Sequence, residues 1–243
     1  MGRVSPSIAL VTGANKGIGF HIARQLAEAG LTVYVGSRDA ERGEAAVAEI
    51  GERARLLVLD VTDAASVAAA AESIDALNVL VNNAGIGDDL SSAPDTDPET
   101  FRRIFETNVF GVVAVTNAFL PLLRSAAEPR IVNISSGTGS LTRASAGGPA
   151  GSLAASKGGA AAYRSSKTAL NALTVFYAQA LADDGIKVNA VAPGLRATGL
   201  NAMASASDAD PAEGAAGAVW LAQLPEDGPT GGFFSFDGTP IPW

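Results

Sequence analysis

Ile8-Ala-Leu-Val-Thr12 runs straight into Gly13-Ala-Asn-Lys16-Gly17-Ile-Gly19, and helix-period spacing follows from Ile18 to Ala29. No other feature limits the fold as much. A short, unbroken apolar run reads as a buried strand. The glycines permit a tight turn and let the backbone approach a bulky anion with no Cβ in the way. A helix starting directly behind them offers unpaired N–H groups and a partial positive charge. Strand, glycine turn and helix in that order make a phosphate cradle. The spacing is G-x-x-x-G-x-G, not the G-x-G-x-x-G of other dinucleotide folds. The plain alternative is an ordinary strand-to-helix loop.

The same alternation continues to the end of the chain. Ile8–Val11, Thr32–Val35, Arg55–Leu59, Val79–Val81, Arg130–Ile134, Lys187–Ala192 and Phe233–Phe236 read as strands, rich in Val, Ile and Leu and mostly unalternating. Strands covered on both faces look like this. Ile18–Ala29, Ala40–Ile50, Ala64–Ala71, Pro98–Ser125, Ala160–Asp183 and Pro211–Leu221 carry helical spacing. The expected fold is α/β: a Rossmann-type, doubly wound parallel sheet of about seven strands flanked by helices. Its 243 residues suit a single dinucleotide-binding and catalytic domain spanning 1–243. Two stretches of small residues, Gly137–Gly159 and Gly194–Asp210, read as long connections at the carboxyl edge of the sheet. Ligands bind at that edge in open α/β folds.

Composition removes whole classes of chemistry. With no cysteine, disulfides and thiolate catalysis are out, and the single histidine, His21, cannot make a His-rich metal site. His21 lies on the first helix with no carboxylate spaced to orient it, so it reads as an ordinary helical residue. A net charge of −8 without any Lys/Arg run argues against nucleic acid. No segment approaches the ~20 apolar residues of a membrane span, and the N-terminal apolar run is too short for a signal sequence. The expected location is cytoplasmic, with no membrane partner.

Cofactor choice falls at the end of the second strand, Gly36-Ser37-Arg38-Asp39. An acidic residue there would bind both ribose hydroxyls; Arg38 would pair with a 2′-phosphate instead. Lys16 can add a second cation. Asp39 reads as the N-cap of the following helix, which leaves Arg38 to choose NADP(H). The alternative for Arg38 is a solvated loop charge. Asp60, in Leu59-Asp60-Val61, can accept from an adenine amino group, or belong to the next helix cap, a role open to Thr62 or Asp63. In Asn82-Asn83-Ala84-Gly85 the amides can satisfy backbone where strand pairing stops, while Ala84 and Gly85 leave room for a ribose.

Tyr163-Arg-Ser-Ser-Lys167 opens a helical run. Residues i and i+4 share a helix face, so a phenol and an ammonium can enter one cleft. A neighbouring cation favours phenolate and is expected to lower the phenol pKa, and such a phenol can exchange a proton with a carbonyl oxygen. By itself the pattern also fits a packed tyrosine and a solvated lysine. Ser135 and Ser136 end the fifth strand, where a hydroxyl could bond the reacting oxygen or only satisfy backbone. Asn108 interrupts a long helical pattern next to Gly111, which suggests a local distortion with a water bound, or a buried amide satisfied by backbone.

Taken together and in order, Thr12-Gly-Ala-Asn15-Lys16-Gly17-Ile18-Gly19, Asp60-Val61, Asn82-Asn83-Ala84-Gly85, Asn108, Ile134-Ser-Ser136, Tyr163-x-x-x-Lys167 and Pro193-Gly194 with Thr198 resemble the short-chain dehydrogenase/reductase family. The first turn, Gly36-Ser-Arg-Asp39 and the ending Thr230-Gly-Gly-Phe-Phe…Pro-Trp243 are most similar to its NADPH-dependent carbonyl reductases. The resemblance implies reduction of a small-molecule ketone or aldehyde, or oxidation of an alcohol. Tyr163 would be the acid/base, Lys167 its activator and a ribose ligand, Ser136 the holder of the substrate oxygen, and Asn108 the anchor of a water behind Lys167. Asn83 and the glycine turn would line the cofactor. The Val191 backbone would meet the nicotinamide carboxamide, with Pro193, Gly194 and Thr198 enclosing that side. Leu153-Ala-Ala-Ser-Lys157 imitates the Tyr-x-x-x-Lys spacing, but leucine cannot exchange a proton. Ser136 and Tyr163 are unusually far apart. In monomeric carbonyl reductases a still longer insert covers a face used elsewhere for tetramers, so monomer and homo-oligomer both stay open. A catalytically idle NADPH-binding sensor is the rival of another class.

Overall fold

The computed structural model describes residues 7–147 and 158–243. Its strands are β1 (Ile8–Thr12), β2 (Thr32–Ser37), β3 (Ala54–Val58), β4 (Val79–Asn82), β5 (Arg130–Ile134), β6 (Lys187–Ala192) and β7 (Phe233–Ser235). They form one sheet in the order β3-β2-β1-β4-β5-β6-β7, every pair parallel. From β1 the chain winds outward to β3, then restarts at β4 and winds the other way. The reversal opens a crevice between the carboxyl ends of β1 and β4. All seven expected strands are present, with ends moved by one or two residues, as at Ala54–Val58 and Thr32–Ser37.

The helices are α1 (Gly17–Glu28), α2 (Ala40–Ile50), α3 (Ala64–Glu72), α4 (Pro98–Phe105), α5 (Gly111–Arg124), α6 (Leu141–Ser145), α7 (Ala161–Ala180), α8 (Ala202–Ser205) and α9 (Pro211–Ala222). Side chains alternate across a strand, so each strand feeds two cores. Val11, Val33, Val81 and Val132 meet Ile22 and Leu26 of α1 and Ala218 and Leu221 of α9. Leu10, Leu80, Ile131 and Val188 meet Val67 of α3, and Val115, Phe119 and Leu123 of α5, on the other face. This double burial is why the strand sequences do not alternate.

Several local expectations are refined. The helix read as Pro98–Ser125 is two α segments joined by a π turn, Glu106–Phe110, so the distortion expected around Asn108 exists. By length and composition Pro98–Arg124 is apolar enough to cross a membrane, contrary to the expectation that no segment would be. The reason is its place in the core: Ile104, Val112, Val115, Phe119 and Leu123 are all buried against the protein. Asp39 caps α2 by accepting from the Arg42 N–H at 3.1 Å, and Asp63, not Thr62, caps α3. The long connections hold short helices: a 3₁₀ turn at Gly137–Gly139 and α6 in one, α8 in the other. The Leu153–Lys157 segment lies outside the described residues.

One buried polar ladder positions the helix that carries the chemistry. Asn82 Nδ2 donates to Thr116 Oγ1 (3.1 Å) and Asn133 Oδ1 (2.9 Å), and Asn133 Nδ2 donates to Thr174 Oγ1 (2.9 Å). The ladder runs from α5 through β4 and β5 to α7. Unpaired buried amides are costly, so these side chains define how α7 sits against β5.

Candidate active site

The crevice at the β1–β4 reversal is held open by backbone, not by bulk. Gly13 and Gly17 have φ of +63° and +58°, a region that favours glycine. Thr12 Oγ1 accepts from the N–H groups of Asn83 (3.0 Å) and Ala84 (2.9 Å). Asn83 Nδ2 returns to the carbonyls of Thr12 (2.8 Å) and Gly13 (3.2 Å). A Cβ on Gly19 would strike the Asn83 amide and lie 2.7 Å from the Gly13 carbonyl. Asn83 thus ties the two strand ends together behind the glycine turn, a structural role that the sequence suggested for its neighbourhood.

A cavity of about 420 Å³ occupies the crevice. Arg38, Asp60, Val61 and Thr62 form one end. Asn15, Lys16, Gly17, Ile18 and Gly19 form its floor, facing Asn83, Ala84 and Gly85. Tyr163 and Lys167 stand at the other end, with Pro193 and Thr198 on the outer wall. One Asp60 oxygen is spent on the N–H (2.9 Å) and hydroxyl (2.7 Å) of Thr62. Those bonds, with Arg38 nearby, hold its carboxyl below the usual range. Neither Arg38 nor Lys16 is ion-paired among the described residues. An open cradle at one end of a helix and two unpaired cations fit an anionic dinucleotide.

At the far end the side chains close in on Lys167. It is 4% exposed, and its Nζ donates to the Ile134 carbonyl at 2.8 Å. Burial pushes its pKa down to about 8. A Cβ on Gly85 would come within 3.5 Å of this ammonium and 3.2 Å of Asn108 Oδ1, which is why the residue there is small. The Tyr163 phenol bonds the Ser136 hydroxyl, which lowers its pKa, yet burial outweighs that and raises it. The expected lowering by Lys167 is not found, because Nζ turns to the Ile134 carbonyl and stands 5.8 Å from the phenol ring centre. Ser136 Oγ also shares a 2.9 Å bond with Thr138 Oγ1, while Ser135 turns inward to Asn171 Oδ1. Between the two candidate serines, geometry favours Ser136.

Asn108 is fully buried in the π turn. Its amide accepts from the Ile86 N–H and donates to the Ile86 carbonyl and to Ser166 Oγ, each at 2.9 Å. An amide has two donors and two lone pairs, so one lone pair is left for a water. Val191 is a correction: it lies inside β6, paired with Ile134 and Phe234, and its carbonyl accepts from the Ser135 N–H at 2.8 Å. It sits before the strand end, so sheet pairing consumes it, and Pro193 and Thr198 are the residues of that segment that line the cavity. Gly194, at φ +77°, turns the chain there, and Thr198 comes back to face Gly17. His21 packs edge-on against Phe20 and bonds Arg24, away from the cavity.

Three contributors escaped the sequence. Gly87 lies flat against the Tyr163 ring, where a Cβ would fall 2.6 Å from Cδ2. Asn201 Nδ2 donates to the Gly87 carbonyl at 2.9 Å and so joins the two loops beside Tyr163. Arg196, 7% exposed, donates to the Pro193 carbonyl at 2.9 Å and stacks 4.2 Å from the Phe236 ring centre, pinning the outer wall from behind. The Gly87–Tyr163, Asn201–Gly87 and Arg196–Phe236 contacts are long-range, and nothing in the local sequence marks them.

Sheet order and crevice define a Rossmann-type α/β protein. The family model for short chain dehydrogenases matches residues 7–209. The (+)-neomenthol dehydrogenase of Arabidopsis thaliana is 33% identical, with 97% of this chain and 98% of that protein covered. The NADPH-bound carbonyl reductase from chicken fatty liver superposes with a TM-score of 0.85 at 29% identity, over 98% of this chain and 99% of that one. The 3-ketoacyl-(acyl-carrier-protein) reductase of Brucella melitensis, complexed with NADH, gives 0.78 at 26% identity, over 94% and 96%. The chain belongs to the short-chain dehydrogenase family, a family of oxidoreductases.

Proposed function

We propose that this protein reduces a ketone or aldehyde to an alcohol with NADPH, using Ser136, Tyr163 and Lys167. One observation carries the reading: a phenol bonded to Ser136 and a buried lysine stand together at the end of the cavity opposite Arg38. Bound NADPH supplies the hydride. The protein's own groups handle position and proton. The Ser136 hydroxyl donates to the substrate oxygen as charge builds on it. Tyr163, whose pKa burial keeps above its ordinary value, stays protonated at neutral pH and serves as the acid that delivers the proton. Lys167 holds a ribose hydroxyl and, once turned from the Ile134 carbonyl, compensates the phenolate left behind. Asn108 holds the Ile86 backbone in place beside it. A protonated phenol favours the direction of reduction.

NADPH over NADH rests on Arg38. It is exposed at the cavity end, unpaired, with Asp39 turned away into the α2 cap. Arg38→Asp is expected to raise KM for NADPH at least about tenfold and to reverse the preference toward NADH, since a charge-assisted bond contributes about 1.5–3 kcal/mol. Unchanged preference in steady-state assays with both cofactors would remove the assignment. The reaction itself is tested by NADPH consumption over a panel of simple and dicarbonyl substrates. Turnover of at least one class is expected. Tight NADPH binding with a flat panel would instead favour the idle sensor.

A further inference from the structure

Charge is distributed unevenly along this acidic chain. Between Glu128 and Asp183 there is no Asp or Glu at all, although the protein's net charge is −8. The same stretch holds Arg130, Arg143, Lys157, Arg164 and Lys167. It also holds both Ser136 and Tyr163. Among the described residues, two guanidinium groups flank the turn after Ser136. Arg143 Nη1 lies 3.3 Å from the point where a Cβ on Gly137 would sit. Arg164 Nε lies 3.5 Å from the Thr138 carbonyl.

Arg143 stands apart from Arg103 and Arg196, whose guanidinium groups are ion-paired. Its backbone N–H is bonded to Ser140 Oγ at 3.1 Å, so the α6 cap fixes its place. Its guanidinium makes no hydrogen bond or ion pair among the described residues. Gly137 has no side chain to fill that space, and the guanidinium reaches toward it. Asp88, which lines the cavity, is ion-paired with Arg103 at 2.8 Å. Consecutive Cα atoms are about 3.8 Å apart, which keeps Nη1 within about 11 Å of the Ser136 hydroxyl. A carbonyl oxygen on Ser136 and a carboxylate a few bonds away span that distance.

We propose that the substrate is an anionic carbonyl compound, a short oxo acid, whose carboxylate is bound by Arg143 while its ketone oxygen sits on Ser136 and Tyr163. The inference rests on the carbonyl-reductase reading for its reaction but not for its binding site. A planar guanidinium matches a carboxylate with two parallel bonds, and the chain from Pro129 to Ala182 brings no carboxylate of its own to compete for it.

The test measures binding as well as turnover. A 3-oxo or 4-oxo carboxylate and its methyl ester are titrated calorimetrically into the full chain saturated with NADP⁺, and both are assayed with NADPH. The expected result is at least about tenfold tighter binding of the acid than of the ester. Arg143→Gln lowers that acid-to-ester ratio about tenfold, and Arg143→Lys restores part of it. The same ratio in kcat/KM is expected to follow, through KM for the acid. Equal binding of acid and ester, or a ratio that Arg143→Gln leaves unchanged, overturns the proposal. Arg143-dependent binding of the acid without turnover of either compound upholds the anion site and sinks the reductase reading instead.

Discussion

Replacing Tyr163 with phenylalanine is expected to lower kcat at least about 1,000-fold, within the range that a positioned acid contributes, while NADPH binding stays within about threefold. The ring is what packs against Gly87, and phenylalanine keeps it. Only the hydroxyl is lost, together with its bond to Ser136. Removing a buried hydroxyl with its partner left on a turn also has a small stability cost, about 1 kcal/mol. Stopped-flow reduction and a cofactor titration on the same preparation separate the two effects. Retained turnover would move the proton transfer to another group. In the wild type, reduction is expected to be flat with pH through neutrality and to fall above about pH 8, as Lys167 and then the phenol lose protons.

Lys167→Met should cost at least about 100-fold in kcat and has a second signature in stability. The folded pKa of about 8 lies below the ordinary 10.5. The unfolded chain therefore binds more protons between those values, and wild-type stability rises with pH across that window. Below pH 8 the full penalty of burying the ammonium is present, at most about 3 kcal/mol. Methionine fills the same space without a charge, so the rise between about pH 8 and 10.5 should flatten. The Ile134 carbonyl loses its donor in this variant, which offsets part of the gain at neutral pH. Thermal melts at pH 7, 8, 9 and 10 on the cofactor-free chain measure the slope. An unchanged slope would mean that the lysine is not the buried base.

These two variants separate what the residue names announce from what the fold arranges. Tyr163 and Lys167 were visible because helical spacing puts i and i+4 on one face. Their electrostatics were not. The expected cation-lowered phenol became a desolvated, protonated one, since Lys167 Nζ is captured by a strand carbonyl thirty-three positions away. Val191 shows the same limit from the other side. A backbone position is committed by its strand neighbours, and pairing with both Ile134 and Phe234 takes it out of the cleft.

By itself the sequence determined the seven-strand α/β plan, the glycine cradle, the Asp39 cap that frees Arg38, and the phenol–ammonium pair. Each of these depends on periodicity or on partners within a few residues, which is information a linear chain carries directly. Only the tertiary structure decided which serine faces the phenol, how Gly87, Asn201 and Arg196 wall the cleft, and that Arg143 stands beside Gly137. Those facts depend on the Thr116–Asn82–Asn133–Thr174 ladder and on loops crossing the sheet edge. The ladder and the Asn201–Gly87 bond join residues 34 to 114 positions apart, and no local spacing encodes them.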